Sequence, residues 1–528
     1  MHTRFYSIRG FLLVVLLLST SLVKAQTPGI IPLPSSYKKA DDSFNLSELT
    51  SLSAQDKQAV AIVNTFRLEL FRMKNLALNV DQRSPVNEIR FEIKPEKNAS
   101  EGYSLLMHNK QITVRGNSEH GLFNGAQTLL QLIAKTQSNQ ISCWTIEDRP
   151  LYAWRGLMLD ESRHFFGKAY VKSLLDWMAF YKLNRFHWHL TDEPGWRIAI
   201  ARYPRLALVG GIGSFSDSTA SSTYYTQSDI SEIVAYANER FIQIIPEIDM
   251  PGHASAANRA YPEFSGGGIK EHPNFTFNPG NESTYDYISA ILREINVLFP
   301  EKLIHIGGDE VSFGRENWNS LPAVKSLMEK NHLSTLDDVE HYFTRRISDS
   351  LTSWNTKTAV WDEAVSANLN PAQTTVFWWR QDHPEKLQAA LDGGYNVILC
   401  PRLPLYFDFV QQESDKFGRR WDHRDFNPLE KVYAFPQSLN LAAKKDDNHI
   451  LGIQANLWTE TVGTTQRADY LLFPRIAAVA ESAWTPGAQK NYNDFVNRLE
   501  SDKILYQKAH VYYCTPDHPE PVGAAKND

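Results

Sequence analysis

Residues 303–310 read Leu-Ile-His-Ile-Gly-Gly-Asp-Glu, and this stretch decides how the rest of the chain is interpreted. Its first four residues are mostly apolar and typical of a β-strand, two glycines follow, and Asp309 and Glu310 then stand side by side. In barrel enzymes, catalytic residues lie just past the ends of the strands, so these acids are candidates for catalysis. The alternative is a solvated acidic pair in a loop. Because successive side chains of an extended chain point to opposite faces, the two acids are not expected to form a facing pair. If Glu310 is a proton donor, Asp309 is expected to hold something else, such as part of the substrate.

Short apolar segments of this kind recur eight times, and helical patterns lie between several of them. The predicted strands are Arg155–Asp160, Arg185–Leu190, Ile242–Ile248, Leu303–Ile306, Thr358–Trp361, Thr374–Trp378, Asn396–Cys400 and Ile450–Ala455. Eight such units over ~330 residues are typical of an α/β fold of the (β/α)8 TIM-barrel type with insertions. A doubly wound parallel sheet is the alternative, but no Gly-x-Gly-x-x-Gly motif follows the first strand.

The chain has 528 residues, which is long enough for two or three domains. Residues 27–150 combine short alternating strands with two helical segments, which predicts a smaller α+β domain without a catalytic constellation of its own. Residues 151–512 comprise the predicted catalytic barrel and a C-terminal helix, Phe495–Ala509. Residues 513–528 form a tail that is expected to be disordered after Pro516.

Residues 1–25 have the three parts of a secretory signal peptide. Two arginines precede an apolar core at residues 11–18, which is too short to span a membrane as a mature helix. A small-x-small cleavage site ends at Ala25, directly before Gln26. The mature chain is therefore expected to be exported, either periplasmic or secreted, and to contain no transmembrane segment.

Composition and charge exclude several classes of function. The formal net charge is -6, so no basic surface suggests a nucleic-acid partner. Without a CxxC or HExxH motif, neither a metal nor a cofactor is predicted, and the oligomeric state stays open. Three cysteines allow at most one disulfide, and the sequence does not determine whether one forms. Cys400 follows an apolar run and is expected to be buried and reduced.

Acids, aromatic rings and an arginine follow the ends of the predicted strands. In strand order they are Arg163, Asp192, His253, Asp309 with Glu310, Trp361, Trp379, Tyr406 with Asp408, and Trp458 with Glu460. Carboxylates and guanidinium groups hydrogen-bond sugar hydroxyls, while Trp rings cover the flat C–H faces of sugars. The sequence therefore predicts a carbohydrate site at one rim of the barrel.

Three motifs in this order resemble those of glycoside hydrolase family 20, the β-N-acetylhexosaminidases. They are His-Trp-His-Leu-Thr-Asp at 187–192, Met-Pro-Gly-His at 250–253 and His-x-Gly-Gly-Asp-Glu at 305–310. The resemblance covers nearly the whole mature chain, including the α+β module. It implies an exo-acting enzyme that removes terminal, non-reducing β-linked GlcNAc or GalNAc from glycans. In that family the substrate's own acetamido oxygen attacks the anomeric carbon, with retention of configuration.

The resemblance also implies roles for individual residues. Glu310 matches the general acid/base, Asp309 the acid that orients the acetamido group, and Tyr406 the phenol that hydrogen-bonds the acetamido oxygen. The other matches are Trp361, Trp379 and Trp458 as aromatic walls, Arg163, Asp408 and Glu460 as hydroxyl-binding groups, and Asp192 and His253 as residues behind the acid. The chain departs from the family at Glu193-Pro194, where Asp-Gln is common. This departure leaves Asp192 in place but is expected to alter the outer contacts of its loop.

Two alternative functions stay open. The same chemistry acts on modified or disaccharide units in some enzymes, for example 6-sulfated GlcNAc or lacto-N-biose, and only the pocket around the far hydroxyls would discriminate. A catalytically inactive sugar-binding homologue on the same scaffold is the other alternative. The intact Asp309, Glu310 and Tyr406 argue against inactivity.

Overall fold

The computed structural model describes residues 27–54, 56–80, 87–96, 101–420, 426–439, 448–515 and 517–523. The predicted signal peptide, residues 1–25, lies outside this part of the chain. Among the helices of the described ranges, none combines the length and the apolar character needed to cross a bilayer.

A mixed sheet with two helices on it forms the N-terminal part of the protein. Its strands are β1 Ser36–Asn45, β2 Thr50–Ala54, β3 Asn79–Val80, β4 Asn87–Ile93, β5 Tyr103–Met107, β6 Gln111–Gly116 and β7 Gln140–Asp148, and its helices are α1 Lys57–Lys74 and α2 Glu119–Lys135. The strand order is β1-β7-β5-β6-β4-β2-β3. Along β6, Ile112 and Val114 are fully buried while their neighbours are partly exposed, so one face of the strand packs into the core. Ser118 caps α2 by accepting the backbone N–H of Gly121 at 3.1 Å.

The eight predicted barrel strands are all present, with bounds that differ by one or two residues from those expected. The strands that follow are β8 Trp154–Asp160, β9 Arg185–His189, β10 Gln243–Glu247, β11 Ser265–Gly267, β12 Thr276–Phe277, β13 Leu303–His305, β14 Lys357–Trp361, β15 Thr374–Trp378, β16 Asn396–Leu399 and β17 Ile450–Leu457. All except β11 and β12, which pair with each other, close into a parallel barrel in the order β10-β13-β14-β15-β16-β17-β8-β9. The predicted TIM barrel is confirmed, and the doubly wound alternative is excluded because the sheet is closed.

Helices cover the outside of the barrel, and side chains of the strands fill its interior. Both faces of the strands are therefore shielded from solvent. They are α3 Lys168–Phe180, α4 Arg205–Leu208, α5 Gln227–Asn238, α6 Ser255–Ala260, α7 Glu282–Leu298, α8 Pro322–Asn331, α9 Leu336–Ser353, α10 Pro384–Asp392, an irregular turn α11 Arg402–Leu405, α12 Leu429–Ala434, α13 Thr465–Leu472, α14 Arg475–Trp484 and α15 Tyr492–Lys508. Capping boxes begin α5 at Thr226 and α9 at Thr335. Every residue of β15 is buried, as expected for a parallel strand covered on both faces.

Buried charges join the N-terminal domain to the barrel at two places. The guanidinium of Arg155, at the start of β8, is fully buried and lies 2.5 Å from the carboxylate of Glu101. Near the chain's N-terminal side, Arg498 of α15 lies 2.6 Å from Glu481 of α14 and donates to the carbonyl oxygen of Ile30 at 2.7 Å. Each cluster therefore draws groups from both parts of the chain.

The expectation of a disordered tail is wrong for residues 517–523. The Glu520 carboxylate lies 3.1 Å from the buried guanidinium of Arg467 and accepts the backbone N–H of Phe417 at 3.0 Å. The tail is held because a buried guanidinium needs a counter-charge, and this partner is supplied from 53 residues further along the chain.

All three cysteines are free thiols in the structure. Cys400 is fully buried, as predicted, and burial raises the pKa of its thiol well above the usual value. Cys143 is also buried, whereas Cys514 is partly exposed.

Candidate active site

The two adjacent acids lie in a backbone of unusual conformation directly after β13. Gly307 and Gly308 have φ of +69° and +91°, and Glu310 itself lies in the left-handed region at φ +51°. A Cβ on Gly307 would stand 1.6 Å from Oδ1 of Asp249, so only glycine lets these two segments approach. A left-handed residue other than glycine costs on the order of 1–3 kcal/mol and is found mainly at functional sites. The side chain of Asp309 is 12% exposed and that of Glu310 is 36% exposed, so the neighbours occupy different environments.

His253 lies between the two acids and a third carboxylate. Its Nδ1 is 3.0 Å from Oδ1 of Asp192, and its Nε2 is 3.5 Å from Asp309 Oδ2 and 3.6 Å from Glu310 Oε2. Burial lowers the pKa of His253, but the charges of Asp192, Asp309 and Asp249 outweigh burial and raise it well above its ordinary value. The surrounding carboxyl groups therefore favour the imidazolium form of His253, whose Nε2 faces both acids.

The pKa values of the two adjacent acids are shifted in opposite directions. Burial raises the pKa of Asp309 to about 6, despite the opposing charge of His253. Burial also raises the pKa of Glu310, but the nearby His253, together with the charge of Arg163, holds it below its ordinary value. Close to Asp309, Asp249 is buried without a hydrogen bond to either oxygen, and burial raises its pKa well above the usual range. Burial thus favours the neutral form of both Asp249 and Asp309.

Arginines and acids form one wall of the site. Arg163 Nη2 lies 2.6 Å from Asp192 Oδ2 and 3.9 Å from Glu460 Oε1. Arg419 Nη2 lies 2.5 Å from the same Glu460 oxygen, and its Nε lies 3.3 Å from Asp408 Oδ2. Burial raises the pKa of Asp408 to about 7, in spite of Arg419. The sequence reasoning missed Arg419, because no motif or periodic pattern surrounds it.

Aromatic rings form a second wall of the site. Trp379 and Tyr406 are stacked with ring centroids 6.2 Å apart and 11° between their planes, and Tyr406 lies 6.0 Å from Trp458. Trp361 lies 6.0 Å from Trp458 and completes the group. The indole N–H of Trp379 donates to Glu363 at 3.0 Å, which fixes the orientation of this ring. Three indoles and a phenol therefore form an aromatic cluster suited to contact with the apolar parts of a small ligand.

A buried histidine cluster supports the floor of the site. Glu247 lies within 3.0 Å of ring nitrogens of His187, His189 and His305 and accepts the Trp361 indole N–H at 2.8 Å. The donor atoms of His187, Glu247 and His305 are close enough together to bind a metal ion. The Glu247 oxygens form hydrogen bonds with His189 and Trp361, while, among the described residues, Nε2 of His187 and Nε2 of His305 are buried without a hydrogen-bond partner.

Contacts connect all eleven side chains that were predicted for the site. The Arg163 guanidinium lies 5.0 Å from the ring centroid of Trp458 and so links the charged wall to the aromatic one. Glu193 lies where the chain departs from the family. Its Oε1 is 2.9 Å from Nδ1 of His272. The sequence did not identify Arg419 or Glu363 as site residues.

Two family models match consecutive parts of the chain. The model of the glycosyl hydrolase family 20 catalytic domain matches residues 152–487. The model of domain 2 of the same family matches residues 27–149. The chain belongs to glycosyl hydrolase family 20. The family resemblance of the three motifs is thereby confirmed, and the protein is a glycoside hydrolase by family.

Individual relatives agree with this assignment. The chain is 35% identical to a beta-hexosaminidase of Porphyromonas gingivalis over 94% of its own length and 65% of that protein. It is also similar to the GH20 exo beta-N-acetylglucosaminidase of Vibrio harveyi solved with N-acetylglucosamine, with a TM-score of 0.85 and 29% identity over 93% of this chain and 79% of that one. The GH20 beta-N-acetylhexosaminidase of Streptomyces coelicolor A3(2) has a TM-score of 0.81 and 26% identity over 94% and 99% of the two chains. The chain thus spans about two thirds of the length of the Porphyromonas protein.

Proposed function

We propose that this family-20 protein is an exo-acting β-N-acetylhexosaminidase that releases terminal β-linked GlcNAc or GalNAc by a retaining, substrate-assisted mechanism. The observation that carries the proposal is the arrangement of Asp309 and Glu310 around His253, together with the cluster of aromatic rings. One acid is buried and suited to hold a substrate group, and the other is exposed enough to reach the glycosidic oxygen.

In the first step, the acetamido carbonyl oxygen of the substrate bonds to C1 while the bond from C1 to the leaving oxygen breaks. Glu310 gives its proton to that oxygen. The ionised Asp309 accepts the acetamido N–H and stabilises the positive charge of the forming ring, and the Tyr406 hydroxyl donates to the acetamido oxygen. In the second step, water attacks C1, gives a proton to Glu310 and reopens the ring with net retention.

Glu310 receives its proton from His253, whose other ring nitrogen contacts Asp192. His253, whose pKa is raised, lies 3.6 Å from Glu310, whose pKa is lowered, so His253 binds a proton more strongly than Glu310 does before substrate binds. A sugar in the pocket removes water from Glu310, and loss of water raises the pKa of a carboxyl group. Substrate binding therefore favours transfer of the proton from His253 to Glu310, and the contact shortens as the complex forms.

The charged wall favours an unmodified sugar over the 6-sulfated one. Asp408 and Glu460 are both buried, and Asp408 Oδ1 has no hydrogen-bond partner. A sugar hydroxyl supplies the missing donor, whereas a sulfate supplies none and is repelled by these two carboxyl groups when they are ionised.

A panel of chromogenic substrates tests the proposal. β-GlcNAc and β-GalNAc should be cleaved, 6-sulfo-GlcNAc should be cleaved much less, and a plain β-glucoside should be a very poor substrate because it lacks the acetamido nucleophile. A thiazoline analogue of GlcNAc should inhibit strongly, since mimics of high-energy states bind more tightly than substrates. Efficient cleavage of the glucoside, or no cleavage of any substrate in the panel, would contradict the proposal.

Export of the chain through residues 1–25 is part of the proposal, since glycans with terminal hexosamine occur outside the cytoplasm. N-terminal sequencing of the protein from the periplasm or medium should find a start near Gln26. A mature protein that retains Met1 would contradict export by cleavage.

A further inference from the structure

A cavity of about 350 Å³ lies between helices of the two domains. Its walls come from α1 and α2 of the N-terminal domain and from α3, α15 and the turn after α5 of the barrel domain. Within the described part of the chain, no side chain of the candidate active site lines it. The second half of α3 and the turn after α5 directly precede β9 and β10, so the cavity lies towards the end of the barrel opposite its catalytic rim. Its volume is within the range of small-molecule sites.

Apolar side chains form the inner surface of the cavity. They are Met73, Phe123, Leu130, Trp177, Phe180 and Leu505. All of them except Met73 are more than nine-tenths buried, so the packing of the two domains fixes their positions. A preformed apolar surface of this kind favours a ligand with an apolar body.

Two hydrogen-bond donors in the walls have no partner in the protein. Gln127 of α2 and Trp177 of α3 line the cavity and are only 4% and 7% exposed. Among the described residues, no group forms a hydrogen bond with the side-chain amide of Gln127 or with the indole N–H of Trp177. Buried polar groups are nearly always paired, so these N–H groups are available to an oxygen atom of a ligand.

The acids of the cavity are neutralised by its own arginines. Arg72 Nη1 lies 3.0 Å from Glu69 Oε1 and 2.8 Å from Asp176 Oδ2. Arg240 Nε lies 2.7 Å from Asp176 Oδ1. Two guanidinium groups thus face two carboxylates, and this group adds no net charge to the cavity.

Lysines leave positive charge at another edge of the cavity. Lys508, the last residue of α15, lines the cavity, is exposed and forms no ion pair with another described residue. Burial lowers the pKa of Lys74, at the end of α1, and the charge of Lys508 lowers it further, so the two ammonium groups repel each other. An anionic group at this edge would relieve the repulsion, whereas a cationic group would add to it.

We propose that the cavity binds a small monocarboxylate with an apolar body, such as a medium-chain fatty acid. The chain contacts the apolar surface, and the carboxylate lies at the Lys508 edge, where the N–H groups of Gln127 and Trp177 are the donors available to it. Because both domains contribute to the walls, a bound carboxylate holds them together and stabilises the folded chain. The site does not depend on the proposed catalytic function, since its property is binding.

Isothermal titration calorimetry of the full chain with octanoate tests the proposal, with octylammonium as a ligand of equal chain length and opposite charge. Octanoate is expected to bind with a Kd of about 0.1–1 mM, which a ligand of its size can reach, and with a negative change in heat capacity. Octylammonium is expected to bind at least about tenfold more weakly because the lysines repel it. Absence of octanoate binding, or equal affinities for the two ligands, would overturn the proposal.

Ser173→Trp locates the site. Ser173 is exposed on α3 and lines the cavity, so a large ring at this position fills the space without disturbing the buried core. This variant should not bind octanoate, and octanoate should raise the melting temperature of the wild-type protein but not that of the variant. Ser231→Trp, at an exposed residue of α5 that does not line the cavity, is the matched control and should bind as the wild type does. Undiminished binding to Ser173→Trp would show that octanoate binds elsewhere.

Lys508→Gln tests the position of the carboxylate at an exposed residue where folding is not at risk. It should weaken octanoate binding about fivefold, as expected for the loss of one exposed ion pair. Lys325→Gln removes an equal charge from an exposed residue of α8 that does not line the cavity, and it should leave the Kd unchanged. Equal Kd values for the two lysine variants would contradict the assignment of an anionic ligand to this edge.

Discussion

Replacing Asp309 by Asn should make the protein more stable while it slows catalysis. Burial raises the pKa of Asp309 from an ordinary 3.8 to about 6, which means that the folded protein disfavours the ionised form. A tenfold change in proton affinity corresponds to about 1.4 kcal/mol, so the ionised carboxylate costs up to about 3 kcal/mol of folding free energy above pH 6. Asn has the same shape without the charge, and the pKa of about 6 already includes the attraction of Asp309 to His253. We therefore expect a net stabilisation of about 1–3 kcal/mol at pH 7.5.

The sign of the pH dependence follows from the raised pKa. Below about pH 4, Asp309 is protonated in both folded and unfolded chains, and the cost is absent. The cost grows between pH 4 and 6, where the unfolded chain loses the proton first, and it is complete above pH 6. The advantage of Asp309→Asn should therefore be present at pH 7.5 and should shrink at pH 4.5.

Asp192→Asn is the matched comparison, because the two carboxyl groups have opposite environments. Burial raises the pKa of Asp192, but Arg163 and His253 outweigh burial and hold it well below its ordinary value. Removing this charge deprives two buried cations of their nearest carboxylate and should destabilise the protein by about 3–5 kcal/mol. Urea unfolding of both variants at the two pH values measures these changes. A destabilised Asp309→Asn at pH 7.5, or an advantage that does not shrink at pH 4.5, would refute the reasoning.

The remaining predictions concern the acid, its neighbour and the glycine turn. Glu310→Gln should slow hydrolysis of alkyl glycosides by ~10²–10⁴-fold and of activated aryl glycosides less in the glycosylation step, and equal losses would count against its role as acid. His253→Ala should raise the pKa of Glu310, since the imidazolium holds it down, and the pH profile of kcat/KM should move to higher pH. Gly307→Ala should lower stability and activity, because its Cβ would meet Asp249 at 1.6 Å, whereas Gly394→Ala, with φ +73° and open space, should cost only the ~1 kcal/mol of backbone strain. Similar stability losses in the two glycine variants would show that the close approach to Asp249 is unimportant.

The barrel was predictable because each strand is a short apolar run that ends in polar or aromatic residues. Burial on both faces makes such runs continuous, and strand ends in a parallel barrel meet at one rim, so sequence order alone brings Asp192, Glu310 and Glu460 together. The adjacency of Asp309 and Glu310 also indicated that the two acids have different environments.

Arg419 and Glu520 illustrate what sequence patterns do not reveal. Arg419 reaches Asp408 and Glu460 from an irregular loop, where no periodicity fixes the direction of a side chain. Glu520 lies in a segment with the composition of a disordered tail, and its order depends on the buried Arg467 far away in sequence. Both contacts depend on the path of loops, which is determined by the folded barrel rather than by local propensity.

The buried charges at the domain boundary couple the stability of the barrel to the N-terminal domain, whose described residues contribute no side chain to the site. A barrel expressed without residues 27–150 would deprive Arg155 of Glu101 and Arg498 of the carbonyl oxygen of Ile30. An uncompensated buried charge costs about 3–5 kcal/mol, which is a large part of the stability of an ordinary domain. The two domains are therefore expected to unfold in one transition, and any shortened form of the enzyme must first replace these partners.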